Sequence, residues 1–334
     1  MSAHIYSYRG DLIENRHTAS LAIVNPAGKL IAFCGNPELP AHLRSSSKPF
    51  QAQALFQTNA VKHFGLTPKE IAVTCASHSG SPDHVATVGS YLHKIGLGPD
   101  DLACGAHMPF DKESMRILKE THQEPNFLHS NCSGKHSGML AAAMTMGATP
   151  RGYERPTHPV QQINFRTIRD LAGVTDVPFG IDGCSVPAFV LPLANAARMF
   201  AYLAQPDAAP TQYQSGLETT YQAMRAHPDM VSGIGGMDTV LMGTLSDFAS
   251  KGGADGYYGL ALRNTQWGPL GVTIKVESGS SDARDPLVIK LLEMLGVLSP
   301  DEPMPWRRPL VRNVRRLEVG WWDAQLELEW ADSN

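Results

Sequence analysis

The chain has 334 residues, 43% of them hydrophobic and 18% charged, which is the composition of a globular protein with a sizeable core and excludes a disordered one. Lys and Arg number 28 against 32 Asp and Glu, for a net charge of -4, and no basic stripe appears, so nucleic acid is not an expected partner. The opening "MSAHIYSYRGDLIEN" has no apolar run behind a basic start, and "GMLAAAMTMGA" is too short to span a bilayer, so neither export nor a membrane is expected. Five scattered cysteines, Cys34, Cys75, Cys104, Cys132 and Cys184, form no disulfide framework and read as reduced thiols of a cytoplasmic protein.

Near the start, "SLAIVNPAGKLIAFCG" is two apolar runs around an "NPAG" turn, a hairpin signal. "LTPKE" places Thr67, Pro68 and Glu70 in capping-box spacing. "SPDHVATVGSYLHKIG" begins a helix with Ser81 as cap and Pro82 at its first position. "THPVQQINFRTIRDLAG" and "SVPAFVLPLANAARMFAYLAQ" predict further helices. "GYYGLALRNTQWGPLGVTIKVESG" gives two strands with a turn at Trp267 and Gly268. "DPLVIKLLEMLG" predicts a helix from Asp285 to Gly296, and "VRRLEVGWWDAQLELEW" alternates like a strand. The fold class is therefore α+β: a mostly antiparallel sheet built from N- and C-terminal strands, flanked by helices, with a helical middle region. Residues 1–334 read as one domain, with a helical subdomain over about 65–230 inserted between the terminal strands. That sheet would bring the two chain ends together.

Five stretches carry chemistry. In "RSSSKPFQAQAL", Ser45 and Lys48 are three apart and share a helix face. A shielded lysine can lose its charge and act as a base toward a hydroxyl. Pro49 fits a first turn but disfavours helical geometry at Lys48, and a solvated helix start explains the same residues. "CASHSGSPDH" offers Ser77, His78 and Ser79 to a cleft, or a plain loop and cap. "HSNCSGKHSGML" sets Asn131, Cys132, Lys135 and His136 at a helix start, which favours an anion or thiolate; the competing account is close packing through Gly134 and Gly138. In "GIDGCSVPAF", Asp182 and Cys184 flank a glycine, and Cys132 with Cys184 would suit zinc, although no Cys-x-x-Cys supports it. "SKGGADGYYGLAL" puts Lys251 before Gly252 and Gly253, where a substrate can approach the backbone closely, or where a turn simply precedes a strand.

Taken in order, "RSSSKPFQA", "CASHSG", "NCSGKHSGML", "DGCSVPAF", "AHPDMVSG", "SKGGADGYY" and "KVESGSS" resemble the bacterial L-asparaginase family of the Rhizobium etli inducible type. The Thr-Gly-Gly-Thr opening of the other bacterial asparaginases is missing. The resemblance implies a fold similar to serine β-lactamases, penicillin-binding proteins and some glutaminases. It implies hydrolysis of L-asparagine through two Ser-Lys pairs, Ser45 with Lys48 and Ser77 with Lys251. It also implies a zinc ion on Cys132, Lys135 and Cys184, and a homodimer. Arg44, Lys135 or His136 would meet the substrate carboxylate, Asp182 its ammonium, and backbone N–H groups near Ser45 and Gly253 the oxyanion. Competing readings are a glutaminase, a serine β-lactamase or D,D-peptidase-like acyl hydrolase, and a non-enzymatic amino-acid or zinc-binding protein.

Overall fold

A computed structural model of the chain describes residues 2–331. The chain divides into two units. One comprises the residues up to 46, residues 191–205 and those from 252 onward; the other comprises 47–190 and 206–251.

The first unit is an antiparallel sheet with helices on it. The strand Ala3–Arg9 pairs with the C-terminal strand Glu318–Gln325, from His4 opposite Gln325 to Ser7 opposite Trp322, so the chain ends do meet. On its other edge Ala3–Arg9 pairs with the long strand Leu12–Val24. That strand continues beside Leu30–Cys34 in the hairpin expected from the "NPAG" turn, and pairs on its far side with Leu270–Val276. Tyr257–Leu262 then pairs with Leu270–Val276. These segments are rich in Val, Ile, Leu and Tyr, which suit a pleated, packed surface.

The helix Leu193–Ala204 lies against Leu270–Val276 and its neighbours. Two glycines allow this approach: a Cβ at Gly271 would overlap backbone atoms of Ala197 and Ala201, and one at Gly259 the ring of Phe200. Leu193, Met199 and Phe200 are fully buried in that contact, each contributing about 1.5–3 kcal/mol. The helix Ser281–Met294 packs on the strands Ala3–Arg9, Leu270–Val276 and Glu318–Gln325.

The second unit is helical around a core that includes Leu55, Ile71, Val73, Tyr91, Leu92 and Leu140. Its helix Pro68–Thr74 carries the expected capping box, in which Thr67 accepts from the Glu70 N–H and Glu70 accepts from the Thr67 N–H. Against it packs the helix Ser133–Thr145. Gly134 and Gly138 sit at the crossing, where side chains would overlap the Val73 carbonyl and the Thr74 side chain. Close packing is thus what these two glycines serve. Among the described residues, no helix is long and apolar enough to cross a membrane.

Three expectations about elements change. "SVPAFVLPLANAARMFAYLAQ" is not one helix: Pro187–Pro192 is a strand paired with Phe179–Ile181, and the helix begins at Leu193. The two prolines and the β-branched Val190 favour extended backbone there. The C-terminal helix starts at Ser281, not Asp285, because Ser280 caps it through the Ala283 N–H and Pro286 is accommodated inside. Ser81 occupies the cap position of the helix Pro82–Lys94, but its hydroxyl pairs with His84 Nδ1 at 2.6 Å instead of a backbone N–H.

The helix crossing at Gly134 yields a test. Gly134→Ala forces a methyl onto a backbone carbonyl that has no rotamer to yield, so it should destabilise the fold by about 1–3 kcal/mol. A thermal midpoint matching that of the wild type would show the crossing to be looser than described.

Candidate active site

In the second unit, the short helix Lys48–Gln51 starts directly after the 3-10 turn Arg44–Ser47. Pro49 sits in its first turn, as expected for a helix start, and the helix breaks at Ala52. Lys48 is 1% exposed. Its Nζ donates to the Ser77 hydroxyl at 3.0 Å and to the Ala76 carbonyl. Ser77 follows the end of the helix Pro68–Thr74, and its own N–H donates to the Val231 carbonyl at 2.9 Å. The resemblance paired Ser77 with Lys251; the hydrogen bond seen is from Lys48.

Lys251 is equally buried, on the strand Phe248–Gly252. Its Nζ lies 3.5 Å from Asp238 Oδ2. Burial pushes the Lys251 ammonium down to about 8, with the charge of Lys48 adding to the effect and Asp238 opposing it. Asp238, itself 4% exposed, also accepts from the Ser250 hydroxyl at 2.8 Å. The sequence reading missed it. Its place after "GG" at a helix start was visible, but its closeness to Lys251 was not.

Cys132, Lys135 and Cys184 come together. Lys135 Nζ is 3.0 Å from Cys184 Sγ, and all three residues are buried. The hydrogen bond between the two thiols holds Cys132 well below the usual thiol range, against burial, with Lys48 and Lys135 assisting. The same bond, with burial, raises Cys184. Burial would lower Lys135, but Cys184 and Cys132 outweigh it and raise it. Among the described residues, no group of three His, Cys, Asp or Glu side chains gathers to hold a metal. The donor set here is two sulfurs and an amine, which fits zinc chemically once the amine is deprotonated.

The two histidines nearby are fully buried. His78 Nδ1 accepts from the Gly80 N–H, so Nε2 carries the proton and donates to Ser133 Oγ at 2.8 Å. Burial, then His84 and Lys48, depress it well below the usual imidazole range. His136 Nδ1 meets the Tyr153 hydroxyl at 2.6 Å. Tyr153 in turn accepts from the Ala103 N–H, and His136 Nε2 has no hydrogen-bond partner among the described residues. Asp182 is half-buried, and its carboxylate accepts from the Gly183 N–H at 2.8 Å.

The first unit holds Arg44, Ser45, Gly252 and Gly253. Arg44 has a left-handed backbone, φ 50°, immediately before half-buried Ser45. Its guanidinium pairs with Asp255, a partner the sequence did not suggest. A Cβ on Gly253 would lie 2.7 Å from the Leu43 carbonyl, so glycine is required there. The Gly253 N–H donates to the Tyr257 carbonyl at 3.0 Å.

No curated protein matches the chain significantly. Among solved structures, the chain aligns over 86% of its length with a crystal structure of Mglu in its glutamate form, at 14% identity and a TM-score of 0.47, and spans 63% of that longer chain. It also aligns over 84% of its length with 95% of a Mycobacterium bovis β-lactamase, at 13% identity and TM-score 0.45. With a Bacillus glutaminase the corresponding figures are 84%, 91%, 13% and 0.40. The profile of the L-asparaginase II family matches residues 5–324. With nearly the whole length matched, the chain belongs to the L-asparaginase II family.

Proposed function

We propose that the protein is an L-asparaginase that hydrolyses the side-chain amide of L-asparagine to L-aspartate and ammonia through a serine nucleophile and a lysine base. Beyond family membership, the observation that carries this reading is buried Lys48 with its amine 3.0 Å from the Ser77 hydroxyl. An amine at that distance from a hydroxyl can exchange a proton with it directly.

In this reading Ser45 attacks the amide carbon and its proton passes to Lys48. Collapse of the tetrahedral intermediate breaks the C–N bond, and the same proton goes to the departing nitrogen, releasing ammonia and leaving a β-aspartyl ester on Ser45. Water then adds to the ester with its proton taken by the lysine, and the Ser45 hydroxyl is restored. Ser77, held by Lys48, relays protons, and Lys251 is the second amine. Arg44 and the unpartnered Nε2 of His136 receive the substrate carboxylate, Asp182 its ammonium, while Gly252 and Gly253 leave room. Cys132, Lys135 and Cys184 would hold zinc, which would supply Lewis acidity for orienting the substrate. The proposed assembly is a homodimer. Glutamine, longer by one methylene, would be discriminated by only about 1–3 kcal/mol.

Ammonia release from L-asparagine tests the reading directly. Ser45→Ala should abolish it, while Ser77→Ala should slow it by roughly 10²–10⁴, the usual value of proton transfer. Turnover surviving in Ser45→Ala but lost in Ser77→Ala would transfer the nucleophile to Ser77. No turnover by wild type would overturn the asparaginase assignment.

The pH profile is a separate check. Lys251, the second amine of this reading, is lowered by burial to about 8 and gains its neutral form as pH rises, so its part in proton transfer should make kcat/KM climb through pH 8 and level above it. A rate already level below pH 7 would exclude Lys251 from the proton transfer. For zinc, metal analysis of purified protein should find about one ion per chain, lost in Cys132→Ser and Cys184→Ser. Equal zinc in wild type and both variants would place the metal elsewhere.

A further inference from the structure

We infer that Asp238 is a positioning residue that fixes the Lys251 amine relative to Ser77, an inference that rests on the Ser-Lys reading of the site. Three observations lead there. Asp238 spans two partners, with Oδ2 at 3.5 Å from Lys251 Nζ and Oδ1 accepting from Ser250 Oγ at 2.8 Å. Both Lys251 and Asp238 are buried, at 1% and 4% exposure, so solvent does not loosen the pair. Asp238 is also mechanically tied to Ser77. It is the second residue of the helix Met237–Thr244. The next residue, Thr239, anchors that helix: its hydroxyl lies 2.9 Å from the Pro228 carbonyl and 2.7 Å from that of Gly233, and its N–H donates to Ser232 Oγ. Those contacts lie on the short helix Pro228–Ser232 and the glycine after it. From the same helix the Val231 carbonyl takes the Ser77 N–H at 2.9 Å. Ser77 and Lys251 are thus held from one strut, Ser77 through its backbone and Lys251 through the Asp238 carboxylate.

A lysine side chain has four rotatable bonds, and an amine used in proton transfer must be found in one place. Asp238 supplies that constraint without touching the substrate. The helix start beside it favours a carboxylate at this position.

The experiment compares Asp238→Asn and Ser250→Ala with the wild type by steady-state kinetics on L-asparagine, thermal unfolding and crystallography. Asparagine keeps an acceptor for Ser250 but puts a weaker, neutral group before Lys251. The expected result is a fall in kcat of about ten- to a hundred-fold in Asp238→Asn with KM nearly unchanged, as for a misplaced catalytic group. Ser250→Ala, which keeps the carboxylate and frees only its orientation, should show a smaller fall of the same kind. In the Asp238→Asn crystal structure Lys251 Nζ should be displaced. The inference is overturned if Lys251 keeps its wild-type position in that crystal, or if kcat is unchanged in both variants. A parallel loss of kcat, substrate affinity and thermal midpoint would also overturn it, since that pattern marks a structural residue. Should Asp238→Asn fail to fold, Ser250→Ala decides by the same criteria. A wild type inactive on asparagine defeats the asparaginase reading alone, and the position of Lys251 in the variant crystal then still decides the role of Asp238.

Discussion

Three lysines of the helical unit, Lys48, Lys135 and Lys251, are all at or below 3% exposure. An ammonium taken from water without compensation is costly enough that it either finds partners or gives up its proton. Each lysine here answers that constraint differently. Lys48 gives its hydrogens to a carbonyl and a hydroxyl, neither of them charged. Lys135 lies against a pair of thiols, and its ammonium is stabilised. Lys251 has a carboxylate at 3.5 Å, which does not fully offset burial. Lys135 and Lys251, identical side chains in one helical unit, thereby have their proton affinities moved in opposite directions.

Next to Lys135 and to the partners of Lys48 the helices Pro68–Thr74 and Ser133–Thr145 cross. The first helix ends at Thr74, and the chain leads from Cys75 to the Ala76 carbonyl and the Ser77 hydroxyl. The second begins beside Cys132 and carries Lys135 in its first turn. Gly134 lies on the Val73 carbonyl and Gly138 on Thr74, so the end of one helix and the start of the other are held at backbone contact. Residues that bear chemistry occupy the two termini where helices leave backbone groups unsatisfied. Stability and site geometry therefore rest on the same few atoms.

Much of this was legible in the chain. Period-two runs around Asn25–Gly28 and around Gly268 gave the hairpins, and Thr67–Pro68–Glu70 gave a helix start, because those signals are local. What escaped was whatever depends on tertiary contact. The segment 187–192 is apolar on both sides, so periodicity could not tell a buried strand from a helix. The Lys48–Ser77 bond joins residues 29 apart, and Asp238 meets Lys251 across a turn between a helix and a strand. Arg44 with Asp255 spans 211 residues. In each case the residue type was visible and its partner was not.

Buried charge also decides what the histidines beside these lysines are able to do. His78 and His136 are both fully buried, and both feel the positive charge of Lys48. Burial and that charge act in the same direction, against a second proton on the ring. His78 spends its two nitrogens on Gly80 and Ser133, and His136 one of its nitrogens on Tyr153. An imidazole that stays neutral through the physiological range cannot serve as the acid that imidazolium usually provides. It remains a fixed donor and acceptor. Lys251 is brought down to about 8, while Lys135 is driven the other way by its thiols. Burial and the neighbouring lysine charges thus keep His78 and His136 in their neutral form.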